Sequence, residues 1–397
     1  MGIMSNTISM YQYEVGGTPA AEKTVSVEWI QDRLEYGRFE PITDPSTSAS
    51  VGWVHFDDPN DSDFSNINSF NIDHYLAFTL RRDARKVPGA LLKNMVEKAC
   101  SEWLKERPNL RKVPKSRKQE IKDNIQAALL AKSLPQPSMV DVLWDTVRNI
   151  VTVASTSTSV LDFVENEFAR TFDGLHLVPI HPIRRAQRVL SGEYLFSLET
   201  ANKATSSEVL SQISSNKWLG WDFLLWLMYQ SAQGGSEYEI DQAGPLDIER
   251  PFVAFPDDRF VLTENTDGQK GKSSIVGPQK DNYSESCIAV RNGKKISEAT
   301  IRLQYGAWKW KLTLKGEIFA FNSFTCPPAL IERDGTTDPR MDLEATFLER
   351  MSQMGSGLQL FDSLLSAYLQ VRLDETRWSR ESGRIINWVV DHAPYQE

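Results

Sequence analysis

His74-Tyr75-Leu76-Ala77-Phe78-Thr79-Leu80 runs straight into Arg81-Arg82-Asp83-Ala84-Arg85-Lys86 and then Pro88-Gly89, and the fold is decided at this junction. The first seven residues have the composition of a half-buried strand, and the Pro-Gly pair separates the basic residues from the next element. A strand therefore delivers a basic corner. Beyond it, Leu91, Leu92, Met95, Val96, Ala99 and Trp103 recur at helical spacing through Leu91–Leu104, and Ile121, Ile125, Leu129 and Leu130 repeat the pattern in Ser116–Leu130. Between these two helices lies a turn carrying Arg111, Lys112, Lys115, Arg117 and Lys118. The pattern predicts a projecting helical arm over residues 90–138, with a merely solvated helix pair as the alternative.

The charge distribution sharpens this reading. From Arg81 to Lys122 there are fourteen basic residues against five acidic ones, a formal +9 in a 397-residue chain whose total is −9, so the remainder carries −18. Binding depends on where charge sits rather than on its sum, and a cationic limb on an anionic body points to a polyanionic partner.

Outward from the arm, Thr7–Tyr13 alternates as a strand and Thr24–Leu34 reads as a helix ending before Gly37. Thr43–Val51 is a Ser/Thr/Pro-rich connection. Asp57–Asp63 is an acidic turn, but it lacks the glycine at the sixth position and the glutamate at the twelfth that a calcium loop needs. Val140–Trp144 and Ile150–Ala154 read as a hairpin turning near Arg148-Asn149, and Val160–Phe172 as a helix closed by Gly174.

Farther along, a helix is expected around Ser206–Ile213, and the run Trp218–Tyr229 is apolar nearly all round, which predicts a buried helix rather than a stacking platform. Phe252–Thr263, Ser286–Val290, Ala299–Gln304, Ala307–Leu314 and Glu317–Phe324 read as strands with Gly293, Gly306 and Gly316 at their turns. Met341–Val390 follows helical spacing with a break at Gly355. The expected class is α+β: mixed or antiparallel sheets, a helical arm and a C-terminal helical segment. The expected organisation is an α+β region over 1–185, a helical insert over 186–250, an antiparallel β region over 251–330 and a helical tail over 331–397.

No run approaches the ~18 apolar residues of a membrane span, and the N-terminal residues lack a secretory pattern, so a soluble cytoplasmic protein with no membrane partner is expected. Cys100, Cys287 and Cys326 are far apart, which fits free thiols and no zinc site. There is no phosphate loop, nucleophile elbow or zinc-protease motif, and His176 and His181 lack a third ligand. Asp257-Asp258 and Glu237-Tyr238-Glu239 are the acidic pairs that a magnesium nuclease reading would use. No catalytic residue, metal or cofactor is expected.

Several stretches, taken in order, resemble the recombination-associated RdgC family. They are the strand Asn6-Thr7-Ile8-Ser9-Met10-Tyr11, then Phe39-Glu40-Pro41 and Gly52-Trp53-Val54, then Arg81-Arg82 with Arg85 and Pro88. The arm through Lys118 and Ile121-Lys122-Asp123 comes next, then Leu134-Pro135, Leu143–Asn149 and Leu177-Val178-Pro179-Ile180, with a further likeness from Asn292–Lys295 through Trp308–Leu314. Pro182–Ser284 is longer than in compact members, and the tail after Asp334 matches them poorly.

The resemblance implies a nucleoid-associated homodimeric ring that encircles duplex DNA and restrains a RecA-type recombinase, without enzymatic activity. On this view Arg81, Arg82, Arg85, Lys86, Arg111, Lys112, Lys115, Arg117, Lys118 and Lys122 contact phosphates, with Lys294, Lys295 and Arg302 extending that face. Leu134-Pro135-Gln136-Pro137 corresponds to the finger that closes the ring, or else is an ordinary proline-rich turn. Two other functions remain open from the residues: a magnesium-dependent exonuclease, and a protein-interaction scaffold that binds no DNA.

Overall fold

The computed structural model describes residues 2–19, 25–44, 47–266, 269–277, 283–328 and 339–393. Thr24, at the expected start of the first helix, residues 45–46 of the Ser/Thr/Pro-rich connection, and residues 331–338 of the expected tail lie outside the described residues.

In chain order the first elements are β1 (Thr7–Gly17), α1 (Val27–Tyr36), β2 (Ala49–His55), β3 (Asn71–Ile72), β4 (Tyr75–Ala84), α2 (Gly89–Lys105), α3 (Lys115–Lys132), β5 (Gln136–Asp145) and β6 (Ile150–Val153). Next come α4 (Thr158–Thr171), β7 (Leu175–Pro179), α5 (Pro182–Val189), α6 (Glu193–Ala201), α7 (Val209–Ser215), α8 (Lys217–Ala232) and β8 (Glu237–Tyr238). The chain ends with β9 (Phe252–Thr266), β10 (Gln269–Val276), α9 (Ser284–Arg291), β11 (Lys295–Tyr305), β12 (Trp308–Lys315), β13 (Ala320–Thr325), α10 (Pro339–Arg372) and α11 (Glu375–Asp391). The class is α+β, with antiparallel strand pairing and a C-terminal helical segment.

Two compact units result: Gly17–Trp144 with Phe163–His176, and Met1–Gly16 with Asp145–Asp162 and Leu177–Glu397. In the first, β2 pairs antiparallel with β4 from Ala49↔Ala84 to His55↔Phe78, and β5 lies on the other side of β4. Ser26 caps α1 by accepting from the Trp29 N–H at 3.2 Å, and the helix buries Trp29, Ile30 and Leu34. The core is aromatic: Trp53 meets Phe78 edge-on at 4.9 Å, and Phe168 lies 4.6 Å from Phe172. Trp53 buries its one polar atom by donating from Nε1 to Thr171 Oγ1 at 2.8 Å. Gly52 is required here, because a Cβ would sit 2.4 Å from Phe39 Cα.

In the second unit the strands run β10-β9-β11-β12-β13-β1-β6, with β8 added beside β9. The apolar run becomes α8 and is buried as expected, with Trp218, Leu219, Phe223, Leu224, Trp226 and Leu227 in the core. Phe223 of α8 interlocks with Phe361 and Tyr368 of α10, whose ring centres lie 6.0 and 5.4 Å from its own.

Two sequence expectations are overturned in this unit. Ser286–Val290 is not a strand but lies in α9, which buries Ser286 and Cys287 on one face. The Asn292-Gly293 pair that resembles a hairpin turn ends this helix instead: Gly293 (φ 89°) donates to Val290 O, and Lys294 donates to Ala289 O. Gly355 does not break the tail either, since α10 continues through it to Arg372 and the break falls at Leu373-Asp374, where Asp374 caps α11. The small residues are there for close packing: a Cβ on Gly357 would meet Trp310 Cδ1 at 2.6 Å and Phe324 Cζ at 2.7 Å.

Candidate nucleic-acid interface

The basic segment is organised by the two neighbouring strands β4 and β5, between which α2 and α3 are inserted and pack on each other. At 17 and 18 residues the helices extend about 26 Å. Val96 is the one buried residue of α2, and α3 has none. The half-buried positions of α3 are Arg117, Ile121, Ile125, Leu129 and Leu130, which form its seam toward α2.

Lys115, Lys118 and Lys122 lie at i, i+3 and i+7, so they share a different and fully exposed face. Arg111 and Lys112 are exposed in the turn that leads into this helix. None of these five is held by a carboxylate among the described residues. Arg117 is half-buried and paired with Glu120 at 2.7 Å. The first turns of α2 and α3 contain no acidic residue, and neither has a side-chain cap, because Pro88 and Pro114 stand at the cap positions. Cations in a first turn oppose the helix dipole by roughly 0.3–1 kcal/mol each, so Lys115 and Lys118 do not serve helix stability. The positive dipole end and the cations add to a single electropositive surface.

The strand end behaves differently from the expected basic corner. Arg81, Arg82 and Asp83 are still within β4, whose alternation puts Arg81 and Asp83 on one face and Arg82 on the other. Arg81 donates from Nε and Nη2 to Asp83 Oδ1 and Oδ2 at 2.9 Å each and from Nη1 to Pro59 O at 2.8 Å, and it lies 4.4 Å from the Phe39 ring centre. The Asp83 hydrogen bonds push its basicity still higher. Arg82 is exposed, with its guanidinium carbon 5.4 Å from the Phe163 ring centre. Arg85 is half-buried and Lys86 exposed.

The remaining expected sites lie on other elements. Leu134 is 85% exposed in the link from α3 to β5, while Gln136 and Pro137 open β5 in an exposed stretch that includes Met139. Lys294, Lys295 and Arg302 belong to the other compact unit. There Lys294 Nζ donates to Ser273 Oγ at 2.6 Å, Lys295 is exposed at the start of β11, and Arg302 pairs with Asp257 at 2.8 Å.

The Arg302–Asp257 ion pair bears on the carboxylates a nuclease would use. Burial alone would raise the Asp257 carboxyl, but hydrogen bonds from Arg302 and Lys311 outweigh it and hold the group below the ordinary carboxylate range. Lys311 also reaches Asp258 at 3.6 Å. Among the described residues no three His, Cys, Asp or Glu side chains gather as a metal site. No helix among them is long and apolar enough to cross a membrane.

Sequence reasoning missed one cluster. In the second unit Arg148, Arg185 and Arg188 line a cavity of about 250 Å³ together with Gln12, Gln242 and Asp362. Its signal was present in Pro182-Ile183-Arg184-Arg185-Ala186-Gln187-Arg188, a proline-initiated helical turn with cations at i, i+1 and i+4.

These features define an α+β protein that carries a cationic two-helix arm between adjacent strands of a sheet. Residues 11–205 match the family model described as "RdgC: Putative exonuclease, RdgC", and this part of the chain belongs to the RdgC family. The match takes in the whole arm and α5, and the likeness at Asn292–Lys295 and Trp308–Leu314 lies beyond it. No curated protein matches the chain.

Proposed function

We propose that the chain grips duplex DNA by its phosphates, without regard to base sequence, and that the helical arm is the gripping element. One observation carries this reading: Lys115, Lys118 and Lys122 share an exposed face of α3 beside Arg111 and Lys112, with no carboxylate among the described residues to neutralise them. Such side chains gain affinity by releasing the counterions condensed on DNA, a term blind to sequence. Membership of the RdgC family supports a recombination-related, DNA-associated role. Arg82 and Lys86 extend the surface from the strand end, whereas Arg81 is already saturated by Asp83 and Pro59.

The finer form of the proposal is a homodimeric ring around the duplex that restrains a RecA-type recombinase. The family resemblance supports it, as do the apolar side chains of Leu134 and Met139, 85% and 46% exposed beside the arm and available to a second copy. The ring holds DNA and does not cut it. The competing reading, a magnesium-dependent exonuclease, is favoured by the wording of the family description. One experiment separates them: titration of a random-sequence duplex over a salt series, with and without magnesium, and the products run on a denaturing gel. Log affinity falling by about 0.9 per phosphate against log salt, with intact DNA, is the expected result. Magnesium-dependent shortening would establish the nuclease, and absence of binding at low salt would leave a protein scaffold.

A further inference from the structure

We propose that the arginine-lined cavity formed by β1, β6, α5 and α10 is a phosphate pocket that takes a phosphomonoester, either a free nucleotide or the terminal phosphate of a DNA strand. Arg185 is its fixed point, only 4% exposed yet lining an open cavity. Its Nε donates to Asp362 Oδ1 at 2.6 Å and its Nη1 to Gln12 Oε1 at 2.8 Å, and its guanidinium carbon sits 5.0 and 5.1 Å from the ring centres of Phe321 and Phe361. The side chain is therefore fixed before any ligand arrives, while Nη2 donates to no group among the described residues. A planar fork held in this way loses little entropy on binding an anion.

The other two arginines add charge that the protein balances only in part. Glu14 is shared by Arg184 and Arg188, so one carboxylate serves two guanidiniums. Arg148, on the turn between β5 and β6, is 42% exposed and reaches Asp145 only at 3.9 Å. The cavity wall thus presents three guanidiniums against the single carboxylate of Asp362. Each guanidinium has a carboxylate partner, but Glu14 and Asp145 stand outside the lining, and a network built only to hold the fold would leave no space between its members. This one leaves about 250 Å³, enough for an anionic group and small for an apolar ligand. Three guanidiniums lining one cavity suit the three oxygens of a phosphomonoester.

The inference does not depend on DNA binding by the arm, which belongs to the other unit. The full chain is titrated calorimetrically, at constant ionic strength, with inorganic phosphate, 2′-deoxyadenosine 5′-monophosphate, and one oligonucleotide carrying either a 5′-phosphate or a 5′-hydroxyl. The same titrations are run on Arg148→Gln/Arg188→Gln and on Lys115→Gln/Lys118→Gln/Lys122→Gln. Saturable binding of inorganic phosphate or of the mononucleotide is expected, weakened about tenfold or more in the arginine variant, and any preference for the 5′-phosphate over the 5′-hydroxyl oligonucleotide should be lost with the arginines and survive in the lysine variant, whatever its overall DNA affinity. Discrimination of the 5′-phosphate from the 5′-hydroxyl oligonucleotide identifies a strand end, and preference for the mononucleotide identifies a free nucleotide. The proposal is overturned if the full chain binds neither inorganic phosphate nor the mononucleotide and does not distinguish the 5′-phosphate from the 5′-hydroxyl oligonucleotide, or if these responses are undiminished in an arginine variant whose melting temperature matches the parent. Should the double variant not fold, the exposed Arg148→Gln alone carries the test, read by the same affinity loss.

Discussion

Arg81 holds both carboxylate oxygens of Asp83, at 2.9 Å each, across the two-residue repeat that places them on one face of β4. Asp83 is 6% exposed, so removing its partner leaves a buried carboxylate without compensation. Arg81→Ala is expected to destabilise the chain by about 3 kcal/mol. Arg82→Ala, on the solvent face, loses a contact with Phe163 worth less than about 1 kcal/mol and should instead weaken duplex binding. Paired thermal melts and duplex titrations check this, and the opposite ranking would show that Arg81 rather than Arg82 faces DNA.

The stripe on α3 makes a quantitative prediction. If Lys115, Lys118 and Lys122 each neutralise one phosphate, Lys115→Gln/Lys118→Gln/Lys122→Gln lowers the slope of log affinity against log salt by about 2.7. The melting temperature should hold or rise slightly, because cations are removed from the first turn of a helix. A binding slope equal to that of the parent chain would take the arm out of the DNA contact.

How legible each element was depended on whether its cause was local. The arm could be read from Met95, Val96, Ala99, Ile121 and Ile125, because helical periodicity and charge density are contained in a few turns. The fate of Arg81 was hidden, since its saturation depends on Pro59, Phe39 and the pleat of β4. Arg184, Arg185 and Arg188 went unread because their partners, Glu14 and Asp362, are at least 170 residues away. Ser286–Val290 was misread because an eight-residue amphipathic helix and a short strand have similar apolar content, and only its Asn-Gly stop distinguishes them. Gly355 invited a break that a 34-residue helix anchored along its length overrides.

The glycines of α10 can be tested directly. A Cβ at Gly357 would lie 2.6 Å from Trp310 and 2.7 Å from Phe324, both buried, so Gly357→Ala forces the core apart and should cost about 1–3 kcal/mol. Gly355→Ala meets Pro245 at 3.3 Å from Cγ and 3.7 Å from Cδ and gains helix propensity of about 1 kcal/mol, so its melting temperature should stay near that of the parent. Equal losses at both positions would mean that glycine is needed for backbone bending rather than for close packing.

Stability should also depend on pH through one histidine. His181 stands before α5 at 6% exposure, and burial, reinforced by the charge of Arg184, lowers its pKa from 6.5 to about 4. The folded chain therefore keeps this imidazole neutral where the unfolded chain protonates it. As pH falls from about 6.5 toward 4 the unfolded state takes up the proton and the folded state does not, so stability declines through that window and levels off below it. The loss amounts to at most about 3 kcal/mol. Glu14, whose carboxyl burial would raise but whose hydrogen bonds to Arg184 and Arg188 hold it below 4.5, loses its contribution only at lower pH, so the two effects separate. Melting temperatures of the parent and of His181→Gln between pH 7 and 5 provide the check. The parent should lose stability that the variant retains, and parallel curves would show that His181 is protonated in the folded chain.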